Sequence, residues 1–351
     1  MVNITKKEQE YLHIFLQKEP LASSDVHTVL NEQGRNVSLV TVKRTLSGLA
    51  ERGLLVVSGT GPSTVYTLSV TGRLFSDVDA HAYCGDDPDT RPGKRAYNDN
   101  VFSEFPETIL TDDETARLKE ATAVFEKRSA RLSPTLAKKE LERLIIELSW
   151  KSSRIEGNTY TLLDTERLIV ENKEASGHSK DEARMILNHK DAFLFVRDHM
   201  SSYTHPTRGY IEKIHELLIK DMRVEKGLRK GAVGVVGSVY TPLDVVYTIE
   251  EAFDNLLVAV SRLKTPYDKA LLLLLGISYI QPFADGNKRT ARLAANAILL
   301  AHGCAPLSYR SVNEETYREA TLVFYELNSL VPFKKLFIEQ YDFAARHYAL
   351  E

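Results

Sequence analysis

The strongest constraint on the fold is a helix–loop–helix unit in the last third of the chain. An apolar run at 271–280 leads into a loop with one proline and one glycine, and residues 289–300 follow as an Ala- and Leu-rich segment. The first turn of a helix presents free backbone N–H groups and the positive end of the helix dipole. We therefore expect two helices with an anion-binding loop between them.

The side chains of this loop suit a phosphate group and a divalent cation. Lys288, Arg289 and Arg292 supply three cations. Asp285 is a hard oxygen ligand of the kind that holds Mg²⁺ against a nucleotide phosphate. Gly286 has no Cβ and lets the backbone approach a ligand closely.

The spacing alone leaves a simpler alternative open. The same pattern fits a helix–turn–helix corner of a bundle, with a capping Asp and two surface arginines. Asn287 fits both readings, because its amide can donate to a phosphate or brace the loop.

The stretch 281–292 resembles the signature of the Fic (Fido) family, His-x-Phe-x-Asp/Glu-Gly-Asn-Gly-Arg-x-x-Arg, whose enzymes typically transfer AMP from ATP to a hydroxyl of a target protein. The matching residues are Phe283, Asp285, Gly286, Asn287, Arg289 and Arg292. The resemblance implies that Asp285 binds Mg²⁺. It implies that ATP is held by Phe283, Gly286, Asn287, Lys288, Arg289 and Arg292. It places Gln281, Asn287 and Arg292 at catalytic positions.

Two positions depart from this signature. Gln281 replaces the histidine that takes the proton from the attacking hydroxyl, and a carboxamide cannot act as a base near neutral pH. A general base typically contributes ~10²–10⁴ in rate, so we expect weak or absent AMP transfer. Lys288 replaces the second glycine and resembles the Doc branch of the family, which behaves as a kinase. Gly286 and Arg292 are absent from Doc-like loops, so the kinase reading is only partly supported.

A second segment, 152–158, resembles the inhibitory-helix signature Ser/Thr-x-x-x-Glu-Gly/Asn of the same family. Read by itself it is a helix C-terminus followed by Gly-Asn. The resemblance implies a class II protein with an inhibitory helix around 145–157, in which Ser152, Glu156 and Gly157 are the inhibitory residues. It also implies that Glu156 pairs with Arg292 and keeps it from the γ-phosphate of ATP.

Residues 1–75 predict a winged helix-turn-helix domain, because three helical segments precede a β-hairpin. The third helix of such a domain enters the DNA major groove through its N-terminal residues. The candidate DNA-binding residues are Ser38, Thr41, Lys43, Arg44 and Thr45. Because 8 Lys/Arg stand against 6 Asp/Glu in this domain, binding of protein instead of DNA stays an alternative.

Residues 76–114 predict an acidic connector arm, with 3 Lys/Arg against 11 Asp/Glu over 76–115. Residues 115–351 predict the Fic domain, since helical periodicity recurs throughout. Strand-like sequence occurs around 231–240, and the stretch 227–242 that contains it resembles the hairpin flap that aligns a target segment by strand addition. The expected fold class is therefore mainly α, with a helical Fic core, one hairpin flap and an N-terminal winged-helix module.

Three functions remain open from the sequence. The first is an adenylyltransferase inhibited by Glu156, acting on a Ser, Thr or Tyr hydroxyl of a target protein or of itself. The second is a nucleotide-sensing pseudoenzyme or transcriptional regulator, favoured by Gln281. The third is Doc-like phosphotransfer. No signal-peptide core or membrane-length apolar run is present, so we expect a cytoplasmic protein without membrane contact; a homodimer is left open.

Overall fold

The computed structural model describes residues 4–350, and helices dominate it. The N-terminal elements are α1 (Lys6–Gln17), α2 (Ser23–Glu32), α3 (Leu39–Glu51), β1 (Leu55–Ser58) and β2 (Val65–Leu68). The helices that follow are α4 (Val70–Leu74), α5 (Ala80–Gly85), α6 (Asn100–Ser103), α7 (Asp112–Ser129), α8 (Pro134–Ile155), α9 (Leu162–Glu171), α10 (Lys180–Asp198), α11 (Arg208–Leu218), α12 (Val246–Arg262), α13 (Pro266–Ile280), α14 (Asn287–Ala301), α15 (Glu314–Leu327) and α16 (Val331–His347).

The described chain divides into two compact units that each combine segments distant in sequence. The first unit holds the described residues up to Pro106, together with Gly234–Thr241 and Glu315–Lys334. The second unit holds Glu107–Val233, Pro242–Glu314 and the described residues from Lys335 onward.

The first unit contains the winged-helix pattern of α1 to α3 followed by a hairpin. Strands β1 and β2 pair antiparallel, with Leu55 opposite Leu68 and Ser58 opposite Val65. The apolar faces of the helices and strands form one buried cluster, which also takes in Val323 and Leu327 from α15. The core of the winged helix is thus completed by a helix that lies some 250 positions further along the sequence.

A buried polar network joins three segments of the first unit. Glu326 on α15 is fully buried and accepts hydrogen bonds from the Tyr83 hydroxyl at 2.7 Å and the Ser238 hydroxyl at 2.6 Å. Arg91 Nη1 lies 3.2 Å from the same carboxylate. Gly93 is required here, because a Cβ at this position would lie 2.6 Å from Glu326 Cβ. The network fixes the connector residues against α15 and residue 238.

The second unit is built on α13 and α14, which pack against each other and are buried along almost their whole length. Asp268 in the first turn of α13 binds the segment that precedes α7, since its Oδ1 accepts the backbone N–H groups of Ile109 at 3.2 Å and Leu110 at 3.0 Å. A buried α13–α14 pair gives the connecting loop a rigid base.

The predicted fold class is confirmed: the chain is mainly helical and carries a small two-stranded sheet in the winged-helix module. The predicted hairpin around 231–240, however, is a loop in the structure. Gly231, Gly234 and Gly237 weaken strand formation in this stretch, and Gly237 has a φ of 77°. The C-terminal end of this loop is bound to Arg95 of the connector (residues 76–114), because Thr241 N donates to Arg95 O at 2.7 Å.

Within residues 4–350, none of the helices combines the length and the apolar character that crossing a membrane requires.

Candidate functional site

The loop between α13 and α14 turns the chain sharply at two residues with left-handed backbone. Gln281, which ends α13, has a φ of 51°, and Gly286, which precedes α14, has a φ of 81°. The nearest atom to a Cβ built on Gly286 would lie 3.5 Å away, so the backbone conformation favours glycine here more than space does. Because of this turn, the N-terminal end of α14 faces the loop.

Phe283 anchors the loop in the core. Its ring is fully buried and stacks on the imidazole of His215, with ring centroids 3.8 Å apart and planes 7° apart. Burial lowers the pKa of His215 to about 4, so the ring is neutral near pH 7. Its Nε2 lies 3.0 Å from the Asp285 carbonyl oxygen, which requires the proton on Nε2. Phe283 therefore holds the loop against the core of the second unit. Its predicted contact with the nucleotide stays a prediction.

Asn287 braces the same loop. Its Oδ1 accepts a hydrogen bond from Phe283 N at 2.8 Å, and its Nδ2 donates to Phe283 O at 2.8 Å. Both ends of the amide are used within the loop. Of the two roles considered from the sequence, the structure displays bracing.

Arg289 is a buried cation whose hydrogen-bond donors are only partly satisfied. Its side chain is 2% exposed, and its Nη2 lies 3.1 Å from Asp285 Oδ2, whereas the Asp285 side chain is 61% exposed. Nε and Nη1 of Arg289 have no hydrogen-bond partner among the described residues. Burial lowers the pKa of Arg289 despite the nearby carboxylates of Asp285 and Glu156. An anion at the loop would satisfy these donors.

Arg292 is fully buried, and groups at the end of α8 bind its guanidinium. Its Nε donates to Ser152 Oγ, its Nη2 donates to Ser152 O, and Nη2 also donates to Glu156 Oε1, each at 2.8 Å. The second carboxylate oxygen of Glu156 lies 3.6 Å from Lys288 Nζ. Burial acts to raise the pKa of Glu156, but the charges of Arg292 and Lys288 outweigh it and hold this pKa below its usual value. Glu156 is therefore ionised at neutral pH.

The segment that carries Glu156 is fixed on its far side by α10. Gly157 follows in a left-handed conformation with a φ of 93°, which ends α8. Asn158 Nδ2 then donates to Glu182 O at 2.9 Å, and Thr159 N donates to Glu182 Oε1 at 2.9 Å. These bonds fix the position from which Glu156 reaches Arg292.

Gln281 lies at the start of the loop with its carboxamide turned toward α13. Its Nε2 donates to Ser278 O at 2.6 Å. Its backbone oxygen accepts a hydrogen bond from Arg229 Nε at 2.6 Å, and Arg229 N donates to Pro282 O at 3.0 Å. A carboxamide held in this way can orient a neighbour but cannot accept a proton at neutral pH.

Two buried residues beside the site were not predicted to contact it: Arg229, which the sequence placed in the flap, and His189, which received no role. Arg229 supports the first residues of the loop from a position 52 residues earlier, and its Gly-Leu-Arg-Lys-Gly setting gave no sign of this contact. His189 is fully buried on α10, and burial together with Arg292 and Arg289 lowers its pKa well below the usual value. Its spacing from Ile186 and Phe193 on the apolar face of α10 was the available signal.

The candidate DNA-binding residues lie in the first unit, at the start of α3. Ser38 caps the helix, because its Oγ accepts from Thr41 N at 3.2 Å, and Thr45 Oγ1 donates to Thr41 O at 3.0 Å. Lys43 and Arg44 are exposed, and neither forms an ion pair within the described part of the chain. The two cations are thus available to a partner.

The structure brings the predicted residues of the second unit into two connected groups. Ser152, Glu156, Lys288 and Arg292 meet at the end of α8, and Phe283, Asp285, Asn287 and Arg289 meet inside the loop. Residues 4–350 contain no group of three or more His, Cys, Asp or Glu side chains arranged to hold a metal ion. A cation at Asp285 would therefore need its other ligands from a bound molecule or water.

Comparison with known families assigns two parts of the chain. Residues 205–299 match the model of the Fic/DOC family, and residues 4–83 match that of the penicillinase repressor. The chain therefore contains a Fic/DOC family domain, which includes the loop, and an N-terminal domain of the penicillinase repressor type.

Individual relatives agree with this assignment. A protein adenylyltransferase Fic from Nematostella vectensis is 32% identical over 52% of this chain and 44% of its own length. The chain spans less than half the length of this relative and of the one from Drosophila willistoni.

Solved structures show the same fold. A Fic family protein from Desulfovibrio desulfuricans has a TM-score of 0.57 at 23% identity, over 69% of this chain and 75% of that one. A Fic domain containing signaling protein from Bacteroides thetaiotaomicron has a TM-score of 0.54 at 19% identity, over 65% of this chain and 94% of that one.

Proposed function

We propose that the Fic/DOC domain of this chain binds ATP with Mg²⁺ at residues 281–292, which are the loop and the start of α14, and that Glu156 inhibits this binding. AMP transfer to a Ser, Thr or Tyr hydroxyl, on a target protein or on the chain itself, is then weak or absent in the native sequence. The observation that carries the proposal is the guanidinium of Arg292, which is fully buried and bound to Ser152 and Glu156.

The loop offers the groups that a triphosphate requires. The first backbone N–H groups of α14 have no partner within the helix and face the loop, where a phosphate is stabilised by them and by the helix dipole. Arg289 adds two unused buried donors beside them. Asp285 presents an exposed carboxylate that would hold Mg²⁺, and the ion would offset phosphate charge when bound. The residues present therefore fit the nucleotide and its metal.

Inhibition follows from competition for Arg292. The γ-phosphate and the Glu156 carboxylate are both anions that suit one guanidinium, and only one of them can occupy it. Separating a buried carboxylate–arginine pair on one side alone costs on the order of 3–5 kcal/mol. Productive binding of ATP therefore requires its phosphate oxygens to replace Glu156.

The chemical step is limited by residue 281. In AMP transfer the hydroxyl oxygen attacks the α-phosphorus, the bond to pyrophosphate breaks, and the hydroxyl proton must leave. Gln281 cannot take this proton, and its carboxamide bonds to Ser278 O. Water must then accept the proton, so we expect a loss of ~10²–10⁴ in rate relative to a chain with a base there.

A second candidate is a regulator that binds nucleotide without turnover and binds DNA through α3. The exposed cations Lys43 and Arg44, in a domain of the penicillinase repressor type, favour it. Phosphate transfer remains a third candidate because of Lys288.

The intact mass of the protein after incubation with Mg-ATP separates these candidates. Two variants would be compared with the native chain: Glu156→Gly, and Glu156→Gly combined with Gln281→His. A mass increase by AMP or by phosphate identifies the transferred group. An AMP adduct that forms only in the double variant would show that Gln281 alone prevents AMP transfer at this site. If neither variant reacts and neither binds ATP more tightly than the native chain, the proposed function is wrong. Tighter binding without any adduct would favour the regulator.

A further inference from the structure

The carboxylate of Glu156 is shared between two cations of α14. Oε1 accepts a hydrogen bond from Arg292 Nη2 at 2.8 Å, whereas Oε2 lies 3.6 Å from Lys288 Nζ. Lys288 occupies the position where the Fic signature has glycine, which has no side chain to reach Glu156. The contact is therefore specific to chains with a cationic residue at this position.

We infer that Lys288 is a second cation of the inhibitory contact, released together with Arg292 when nucleotide binds and then transferred to phosphate. This inference rests on the proposed function. Opening the site would require Glu156 to give up two positive charges instead of one.

The position of Lys288 on α14 supports this role. Lys288 and Arg292 are four residues apart, so both side chains project from one face of the helix toward Glu156. Two cations at this spacing repel each other, and a lysine in the first turn is also disfavoured by the positive end of the helix dipole. An anion between the two side chains removes both penalties. Glu156 supplies that anion in the resting structure, and a nucleotide phosphate would supply it in the bound state.

The surroundings make the second contact effective. The side chains of Glu156 and Lys288 are 19% and 31% exposed, and that of Arg292 is fully buried. Solvent and salt screen partly buried charges less than exposed ones. Both cations also act to lower the pKa of Glu156. At 3.6 Å the ammonium group acts through its charge, and the flexible lysine stem allows it to change partners.

The inference predicts that Lys288 and Glu156 are coupled in nucleotide binding. Affinity for Mg-ATP would be measured by calorimetry for the native chain, Lys288→Met, Glu156→Gly and the double variant. With Glu156 absent, Lys288→Met should weaken binding by about three- to tenfold, because it removes a phosphate contact. In the native background the same change should weaken binding by less than about twofold or tighten it, because it also loosens the inhibitory contact.

Controls distinguish the possible failures. Lys220→Met removes an exposed lysine charge that has no ion pair in the described chain, and should have the same small effect in both backgrounds. Lys288→Arg should restore the coupling, since it restores the cation. Glu156→Gln repeats the cycle with an uncharged side chain of the same shape, in case the glycine disturbs α8.

Equal effects of Lys288→Met in the two backgrounds would overturn the inference while leaving the proposed function intact. Failure of both Glu156 variants to bind Mg-ATP more tightly than the native chain would instead contradict the proposed inhibition itself.

Discussion

The Nε atom of Arg292 donates a hydrogen bond to Ser152 Oγ at 2.8 Å, across 140 residues of sequence. Ser152→Ala removes this acceptor but keeps the Ser152 carbonyl and Glu156, which bind Nη2. We expect Ser152→Ala to tighten binding of Mg-ATP, by less than Glu156→Gly does. Hydrogen bonds to charged groups contribute about 1.5–3 kcal/mol, which sets the upper limit of the change. Calorimetric titration measures it.

Ser149 provides the matched control for Ser152. It lies one turn earlier on α8, it is equally buried, and its Oγ has no hydrogen-bond partner in the described chain. Ser149→Ala should leave nucleotide affinity unchanged. Equal affinities for the two alanine variants would show that Ser152 does not anchor Arg292.

Asn287→Ala should destabilise the loop. The substitution removes the two bonds between the amide and the backbone of Phe283, each with a net contribution of about 0.5–1.5 kcal/mol. We expect the free energy of unfolding to fall by about 1–3 kcal/mol. In the Glu156→Gly background, nucleotide affinity should fall as well. Urea denaturation and calorimetry measure the two effects.

Asn296 makes the same kind of paired contact on the same helix, away from the loop. Its Nδ2 donates to Leu307 O at 3.0 Å, and its Oδ1 accepts from Leu307 N at 2.8 Å. Asn296→Ala should cost similar stability without weakening nucleotide binding. A parallel loss of affinity in both variants would mean that the effect of Asn287 is one of general stability.

Glu182 should contribute stability that disappears in acid. Hydrogen bonds from Thr159 and Ser179 lower its pKa to about 2. Because the folded pKa is lowered, the contribution is complete above the unfolded pKa of about 4.3 and is lost as the pH falls toward the folded value. We therefore expect Glu182→Gln to lower Tm at pH 7, and this difference from the native chain to narrow between about pH 4.5 and pH 3.

Thermal denaturation over this pH range checks the behaviour of Glu182. The exposed Glu166 on α9 serves as control, since a substitution at an exposed position, Glu166→Gln, should change Tm little at pH 7. A Tm difference for Glu182→Gln that does not vary with pH would contradict the assignment.

The sequence predicted the local elements, and it named residues that the structure brings together around the loop, because both depend on short-range patterns. The helical periodicity expected throughout 115–351 corresponds to the succession of helices from α8 to α16. The spacing of Glu156 and Arg292 within two separate signatures led to the pair that the structure contains.

Contacts between distant segments had no such signal. Arg229 bonds to the backbone of Gln281 through a loop whose glycine-rich sequence suggested a hairpin. The Lys288–Glu156 contact was also missed, since lysine was considered only as a phosphate ligand. The first contact depends on the path of a loop and the second on how α8 and α14 pack, and the periodicity of single helices specifies neither.

Glu326→Ala should destabilise the first unit. The carboxylate is fully buried and pairs with Arg91, whose side chain is 4% exposed. Removing one partner of a buried ion pair costs about 3–5 kcal/mol, because the other charge stays buried. On the same helix, Glu319 pairs with the exposed His81, so Glu319→Ala should cost much less. Similar decreases in stability in urea denaturation for the two variants would contradict this account.

Lys43→Ala and Arg44→Ala should each weaken binding to duplex DNA if α3 enters the major groove. Removing one cation that binds a phosphate should reduce the slope of log K against log salt by about 0.9. Lys18 is exposed and unpaired within the described residues but lies outside α3, and Lys18→Ala should have little effect. Fluorescence anisotropy at several salt concentrations measures these slopes. DNA binding that none of the variants alters would exclude α3 as the binding surface.

Val323 and Leu327 of α15 complete the apolar core of the winged helix. The N-terminal module is therefore not a self-contained domain, because part of its core comes from α15. A gene fusion that transferred residues 1–75 alone would leave apolar surface of that core exposed to water, at a free-energy cost of about 25 cal/mol per Å². Moving this module to another protein without α15 should therefore lower its stability, and a transfer that includes α15 should restore it.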